Sequence, residues 1–167
     1  IWEQTQSGSH ASQSERELAL SGRRVVITAG GTQEPIDPVR YVGNRSSGTQ
    51  GISLVNAALD QGAEVTLIAA AMSTPIPTHP RLTVVHAATA SDLATSVRSE
   101  VGHSDALIMA AAVADFTPIS VSDVKIKKTA TTEELVLTLH RTEDIPASVA
   151  KSPQTRSALI GFGAETG

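Results

Sequence analysis

The chain has 167 residues, enough for one domain with a real core and too few for two of ordinary size. Its formal net charge of −4 argues against nucleic acid or an anionic membrane as a partner, and no apolar run approaches the ~20 residues of a membrane-spanning helix. With no cysteine, disulfides, thiolate metal sites and cysteine nucleophiles are excluded, and we expect a cytoplasmic protein.

The first part of the chain is predicted to lie outside the folded domain. Residues 1–22 are polar, rich in Ser and Gln, and show no sustained period, so we interpret them as a linker or tail. Residues 23–167 are predicted to form the domain. Because the chain opens with Ile1 rather than Met, we expect a fragment or a processed product.

Strands and helices are predicted to alternate through the first half of the domain. "RRVVITAGG" is a β-branched run closed by two glycines, which predicts a buried strand leading into a tight loop. Apolar residues recur at helical spacing between Gly48 and Gly62, and Gly62 lies where a helix C-cap is expected. "AEVTLIAA" and "LTVVHA" are predicted strands. Thr89 and Asp92 form a capping-box pattern that predicts the start of a second helix.

The second half opens with the most apolar run of the chain. "DALIMAAAVADF" predicts a central parallel strand covered on both faces. "TPISVSDVKIKKTATTE" has no regular pattern, and "ELVLTLH" alternates as a more exposed strand does. Thr142 is predicted to start a short helix in "TEDIPASVAK", and "SALIGFGAE" to form the last strand.

This order of elements predicts an α/β fold: a Rossmann-like, doubly wound and mostly parallel sheet with helices on both faces. Ligands of such sheets bind beyond the carboxyl ends of the strands. Three polar loops fall at those ends, in residues 30–49, 113–128 and 162–167. We therefore expect the functional site where these loops meet.

The loop "DPVRYVGNRSSGTQG" has the composition of an anion site. Ser46, Ser47 and Gly48 come directly before the first helix, where free backbone N–H groups and the helix dipole favour a phosphate. The alternative is that one of the two serines only caps the helix. Two guanidinium groups and one amide in the same run favour the phosphate, since a cap needs none of them. They belong to Arg40, Asn44 and Arg45.

Two further features lie in the predicted loop of residues 113–128. "KIKK", which includes Lys125, is either solvated surface or a cluster that meets a triphosphate across the crevice. Asp115 either holds Mg²⁺ among phosphate oxygens or only forms a turn after a strand. The five histidines lack metal-ligand spacing, and no Ser-His-Asp arrangement is evident.

A dinucleotide-dependent oxidoreductase is disfavoured by two observations. The long loop after the first strand is not G-x-G-x-x-G. The second strand, "AEVTLIAAAMS", also ends without the acidic residue that holds an adenine ribose.

Three motifs in order carry a resemblance: "ITAGGTQEPIDPVRYVGNRSSGTQG", "AAVADF" followed by "KIKK", and "GFGAETG". Together they resemble phosphopantothenoylcysteine synthetase, the C-terminal half of the bacterial bifunctional coenzyme A biosynthesis flavoprotein. The resemblance runs from about Arg23 to the last residue. It implies that residues 1–22 are the linker after a flavin-dependent decarboxylase half, and that FMN belongs to that half alone.

The resemblance implies a ligase that joins 4′-phosphopantothenate to L-cysteine with CTP and Mg²⁺. The carboxylate attacks the α-phosphate to give an acyl-cytidylate and pyrophosphate, and the cysteine amine then displaces CMP. A homodimer is implied, with "AVADF" and "KIKK" at the contact between the subunits.

Roles for individual residues follow from the same motifs. Asn44 is expected to contact the substrate carboxylate or acyl phosphate, and Lys125 to assist acyl-cytidylate formation. Substrate and phosphate binding is expected from Arg40, Arg45, Ser46, Ser47 and Gly48. Nucleotide binding is expected from Gly30, Gly31, Ala111, Ala112, Val113, Asp115, Lys125 and Phe162, with Asp115 also holding the metal.

The chain departs from the family pattern in two places. Thr49 stands where the family has a lysine in S-S-G-K, so one cation near the anion loop is missing. The chain also stops at Gly167, whereas the family continues with further nucleotide-binding residues. A nucleotide- or phosphate-binding module without catalysis is therefore the alternative.

Overall fold

A computed structural model describes residues 18–128, 134–153 and 155–163 of the chain. Its strands are β1 (Arg24–Ala29), β2 (Gln33–Asp37), β3 (Arg40–Gly43), β4 (Glu64–Ala69), β5 (Leu82–His86), β6 (Ala106–Met109), β7 (Phe116–Pro118), β8 (Leu139–Arg141) and β9 (Ala158–Gly161). Its helices are α1 (Thr49–Asp60), α2 (Ala90–Val101) and α3 (Ile145–Ala150). Most of the predicted tail, "TATTE" and the end of "GFGAETG" lie outside the described residues.

The centre of the fold is a five-stranded parallel sheet in the order β5-β4-β1-β6-β9. From β1 the chain first adds β4 and β5 on one side, and then β6 and β9 on the other. This is the Rossmann order, with its switch point between β1 and β6. The predicted doubly wound α/β fold is confirmed.

Apolar side chains cover both faces of this sheet. Along β1, Val25 and Ile27 pack in the cluster that includes α1, whereas Val26 packs in the cluster that includes α2 and α3. Successive strand residues point to opposite faces, so the unbroken apolar runs of the sequence are those of strands buried on both sides.

Both predicted helix-boundary signals at α1 and α2 are found. The Thr89 hydroxyl accepts the Asp92 N–H at 3.1 Å, and the Asp92 carboxylate accepts the Thr89 N–H at 3.0 Å. The capping box at α2 is thus confirmed. Gly62 follows α1 with a φ of 90°, a left-handed conformation that favours glycine.

The prediction of one long strand over "DALIMAAAVADF" is wrong beyond Met109, where β6 ends. Its partner β1 ends at Ala29, and Gly30 turns the backbone away with a φ of 88°. The Thr28 hydroxyl then accepts the N–H groups of Ala110 and Ala111, both at 3.1 Å. The Thr28 side chain thus takes the place of a backbone acceptor on β1, and the apolar run after Met109 continues as a loop.

Three smaller expectations are also corrected. The predicted loop 30–49 contains the antiparallel hairpin β2–β3, and the predicted strand over "ELVLTLH" is reduced to β8, which pairs with β7. The third helix begins after Asp144, whose carboxylate accepts the Ala147 N–H at 2.9 Å. Thr142, the predicted start of that helix, bonds to the loop after β6 instead.

No helix among the described residues is long and apolar enough to span a bilayer.

Close packing of α1 on β1 depends on Gly51, because a methyl group there would collide with the Ala29 side chain. We expect Gly51→Ala to lower the free energy of unfolding by about 1–3 kcal/mol, since overpacking outweighs the roughly 1 kcal/mol that alanine gains in helix propensity. Urea denaturation measures this. Gly102→Ala is the matched control, with a φ of −66° and open space around it, and should be neutral or slightly stabilising. Equal effects of the two substitutions would contradict the packing argument.

Candidate functional site

Two adjoining crevices open at the carboxyl edge of the sheet. The large crevice, of about 1070 Å³, lies over the ends of β6 and β9 and the start of α3. The small crevice, of about 600 Å³, lies beside the ends of β3 and β4. Asn44 and Ser46 line both crevices, so the segment after β3 separates them.

Most of the predicted site residues line one of these crevices. In the large crevice they are Asn44, Ser46, Ala111, Ala112, Val113, Asp115 and Phe162. In the small crevice they are Gly31, Asn44, Arg45, Ser46 and Ser47. The loops predicted to converge at the carboxyl edge therefore do so. Gly30, Arg40, Gly48 and Lys125 line neither crevice.

The start of α1 has the free donors that an anion needs. Its N-cap is Gly48, with a φ of 79° and no side-chain cap. The Ser46 hydroxyl accepts the Gly48 N–H, and the Ser47 hydroxyl accepts the Thr49 N–H, both at 3.3 Å. The N–H groups of Gln50 and Gly51 have no acceptor among the described residues. The serines thus occupy part of the helix end, and two donors remain for a ligand.

A hydroxyl network surrounds Thr49, the residue at which the resemblance leads us to expect a lysine. The Thr49 hydroxyl is 2.8 Å from that of Ser47 and 2.9 Å from that of Thr74. In the described part of the chain, the guanidinium group of Arg45 forms no ion pair or hydrogen bond. Arg45 is therefore the cation at this loop that remains available for an anion.

Asn44 joins the loop after β3 to the loop after β6. Its side-chain amide donates to the Val113 carbonyl at 2.9 Å. The turn after β1 also approaches this segment, so closely that a Cβ on Gly31 would lie 2.5 Å from the Asn44 carbonyl oxygen. On the other side, a Cβ on Gly30 would lie 2.6 Å from the Ala71 carbonyl oxygen. Both glycines are thus required by close backbone approach, whatever ligand the crevices hold.

Three carboxylates line the large crevice, and two of them have structural partners. Glu143 pairs with Arg98 at 2.8 Å, while Asp144 caps α3. A hydrogen bond from the Ser148 hydroxyl, together with the Arg98 guanidinium, holds the pKa of Glu143 below its ordinary value. The carboxylate of Asp115 accepts no hydrogen bond from any described residue, so it is the one available to a ligand.

The described residues contain no cluster of three metal-ligating side chains. One available carboxylate in an open crevice still suits Mg²⁺, which takes one or two protein carboxylates and completes its shell with phosphate oxygens and water. Asp115 therefore fits the predicted role, whereas a site for a metal held by protein alone is not formed by the described residues.

Arg40 and Lys125 lie away from the crevices on the hairpin side. The Arg40 guanidinium is 3.5 Å from the Asp37 carboxylate and donates to the Ile126 carbonyl at 2.5 Å. Lys125 is exposed in the same segment. Arg40 therefore ties the hairpin to the lysine-bearing segment and does not line either crevice.

Asp37 is the buried centre of that connection. It accepts the N–H groups of Val39, Arg40 and Ile126 at 2.9, 3.0 and 3.1 Å. Burial opposes its ionisation, but the three N–H donors and the Arg40 guanidinium outweigh burial and hold the pKa of Asp37 below its ordinary value.

The segment before α3 contributes to the large crevice, although none of its residues was predicted to belong to the site. Arg141 and Thr142 line the large crevice, and Thr142 donates to the Ala114 carbonyl at 2.6 Å. The polar run "HRTED" between a strand and a helix was the available signal. It was interpreted only as a helix start.

Fold and site together define a Rossmann-like α/β domain with a ligand crevice at the carboxyl edge of its sheet. The family described as the DNA/pantothenate metabolism flavoprotein C-terminal domain matches residues 20–167, and the chain belongs to this family. The resemblance inferred from the three motifs is thereby confirmed.

Two curated relatives are similar over nearly the whole chain. The coenzyme A biosynthesis bifunctional protein CoaBC of Mycobacterium bovis is 45% identical over 157 residues, covering 89% of this chain and 36% of that protein. A cysteine/cysteine sulfinic acid decarboxylase of an unknown prokaryotic organism is 44% identical over 150 residues, covering 90% of this chain and 41% of that protein. The chain thus spans well under half the length of these relatives.

A solved structure agrees with the sequence comparison. The crystal structure of the C-terminal domain of CoaBC matches with a TM-score of 0.75 at 36% identity, covering 89% of this chain and 68% of that chain.

The buried position of Asp37 predicts a pH-dependent stability. Because its folded pKa lies below the unfolded value of about 3.9, ionised Asp37 stabilises the fold above that pH. The contribution is lost as the pH falls through the folded pKa. Asp37→Asn should therefore be less stable than the native chain at pH 7, with a difference that shrinks in acid. Urea denaturation over a pH series tests this.

Asp60→Asn, at the exposed end of α1, is the control and should leave stability nearly unchanged. A stability difference between Asp37→Asn and the native chain that stays constant down to strongly acidic pH would contradict the assignment.

Proposed function

We propose that this chain carries the phosphopantothenate–cysteine ligase site, which activates 4′-phosphopantothenate with CTP and Mg²⁺ and then forms the amide with L-cysteine. The observation that carries the proposal is the position of Asn44. It lies between a helix start with free anion donors and a crevice with one available carboxylate. A carboxylate and a triphosphate would meet at such a junction.

The first step needs positive charge around the phosphates. The substrate carboxylate oxygen attacks the α-phosphorus, and the bond between the α-phosphate and the pyrophosphate breaks. The free N–H groups at the start of α1 and the guanidinium of Arg45 are suited to hold phosphate oxygens. Mg²⁺ at Asp115 would neutralise phosphate charge as pyrophosphate leaves.

The second step needs a polar group at the acyl carbon. The cysteine amine attacks that carbon, the carbon–oxygen bond to the nucleotide breaks, and CMP leaves as the amine loses a proton. The Asn44 amide is already oriented by the Val113 carbonyl, and it is suited to stabilise the oxygen on which negative charge develops.

Lys125 and Arg40 fit this scheme through a second copy of the chain. Neither residue lines a crevice of its own chain. Lys125 lies in the segment that follows β7, and Arg40 donates to that segment at the Ile126 carbonyl. That segment exposes the apolar side chains of Ile119, Val121 and Val124. Pairing of two such segments in a homodimer would cover this surface and bring Lys125 toward the partner's site.

The names of the relatives do not agree on one reaction, so the reaction of this chain is tested by experiment. One relative, 45% identical to this chain, is named for coenzyme A biosynthesis, and another, 44% identical, is named as a decarboxylase; the chain spans less than half of either. The alternative is a module that binds nucleotide or phosphate without catalysis, favoured by the replacement of the family's lysine by Thr49. Neither proposal involves FMN. The ligase proposal includes a cytoplasmic location for the protein.

Pyrophosphate release separates these proposals. The chain is incubated with CTP, Mg²⁺ and phosphopantothenate, with and without cysteine, and CTP binding is followed by calorimetry. The ligase proposal predicts pyrophosphate that depends on phosphopantothenate. Binding without release supports the module, while neither binding nor release contradicts both.

Asn44→Asp should slow the second step more than the first. A carboxylate next to the acyl carbon opposes the charge that develops on its oxygen, so acyl-cytidylate should accumulate. Mass spectrometry of quenched reactions measures the intermediate and the amide. An unchanged amide yield would refute the role of Asn44.

Lys125→Gln should suppress acyl-cytidylate formation by roughly 2–4 kcal/mol of barrier, the size expected for one lost charge-stabilising donor. Lys127→Gln, two residues away in the same segment, is the matched control and should have a much smaller effect. The two variants are compared by single-turnover pyrophosphate release. If both lose activity equally, the lysines act only through general surface charge.

A further inference from the structure

The loop after β6 lines the large crevice but has no polar side chain of its own until Asp115. Residues 110–114 are alanine and valine, so the backbone must be held in place by groups from elsewhere. Two threonines from the end of β1 and the turn after it do this. Thr28 and Thr32 are both fully buried, and neither lines a crevice.

Each threonine hydroxyl occupies specific backbone donors of the loop. The Thr28 hydroxyl accepts the N–H groups of Ala110 and Ala111 at 3.1 Å and contacts the Met109 sulfur at 3.9 Å. The Thr32 hydroxyl accepts the N–H of Ala114 at 2.9 Å. Buried hydroxyls in a low-dielectric interior fix such donors firmly, because water is not available to replace them.

The peptide around Ala114 is held from three directions. Thr32 accepts its N–H, Thr142 donates to its carbonyl at 2.6 Å, and Asn44 donates to the preceding Val113 carbonyl at 2.9 Å. The Asn44 amide therefore takes its orientation from a carbonyl whose own position depends on the Thr32 hydroxyl.

We propose that Thr32, supported by Thr28, is a positioning residue for the amide-forming reaction. It holds the loop after β6 so that the Val113 carbonyl orients the Asn44 amide and Asp115 faces the large crevice. The inference rests on the proposed ligase function. It adds that the geometry of the site is set by buried hydroxyls that touch no substrate.

An isosteric pair of variants tests the hydroxyl directly. Thr32→Val keeps the branched shape and removes the acceptor, whereas Thr32→Ser keeps the hydroxyl. Amide hydrogen exchange followed by NMR should show faster exchange at Ala114 in Thr32→Val and retained protection in Thr32→Ser. Retained protection in both variants would overturn the proposal, and this readout does not require catalysis.

Kinetics test whether the loop position matters for the reaction. Because Asn44 acts on the acyl carbon and the start of α1 is unaltered, Thr32→Val should lower kcat by roughly ten- to a hundredfold. The KM for CTP should change far less, and Thr32→Ser should restore most of kcat. Thr95→Val, which removes an exposed hydroxyl on the solvent side of α2, is the control and should change neither parameter.

The outcomes are distinguishable. Lost protection with unchanged kcat would overturn the positioning role while leaving the ligase proposal intact. Absence of CTP binding and turnover in the native chain would overturn the ligase proposal, and with it any role of Thr32 in that reaction. If Thr32→Val does not fold, Thr28→Val applies the same exchange and kinetic tests through Ala110 and Ala111.

Discussion

The turn after β1 is the constraint on which the rest of the structure depends. Its backbone bonds to both neighbouring strand ends at once: the Gly31 N–H donates to the Ala71 carbonyl at 2.8 Å, and the Ala112 N–H donates to the Gly30 carbonyl at 2.7 Å. The Ala71 carbonyl oxygen lies against Gly30 and the Asn44 carbonyl oxygen lies against Gly31, which leaves no room for a side chain at either position, so glycine is required. The loops after β4 and β6 are thereby fixed against a single point at the switch of the sheet, and both crevices form around it.

Charge is arranged unevenly around that point. The small crevice presents Arg45, whereas the large crevice presents Asp115, with its other carboxylates already paired or capping a helix. Asn44 lies on the boundary and is held by a backbone carbonyl. The segment after β3 separates Arg45 from the carboxylate of Asp115, so that neither charge neutralises the other.

Much of the fold was predictable because it follows from local patterns. β-branched runs, helical spacing and the capping box at Thr89 each depend on a few neighbouring residues, and all agree with the structure. The end of β6 was not predictable from the same patterns, since it depends on a hydroxyl that lies 82 residues earlier in the chain. The site follows the same division: the loops at the carboxyl edge were predicted, whereas the contributions of Thr32 and Thr142 arise only from tertiary contacts. The contacts of Arg40 were likewise predictable only in part. Asp37 is near it in sequence, whereas the contact with Ile126 depends on the folding of a distant segment.

The proposed function requires that a carboxylate and a nucleotide meet at Asn44 to form a mixed anhydride. Transfer of ¹⁸O tests it most directly. With phosphopantothenate labelled in both carboxylate oxygens, attack on the α-phosphate leaves one labelled oxygen on the CMP released by cysteine. The proposed mechanism predicts CMP that carries one ¹⁸O for each amide formed. Unlabelled CMP, or label in the pyrophosphate or a nucleoside diphosphate, would contradict it.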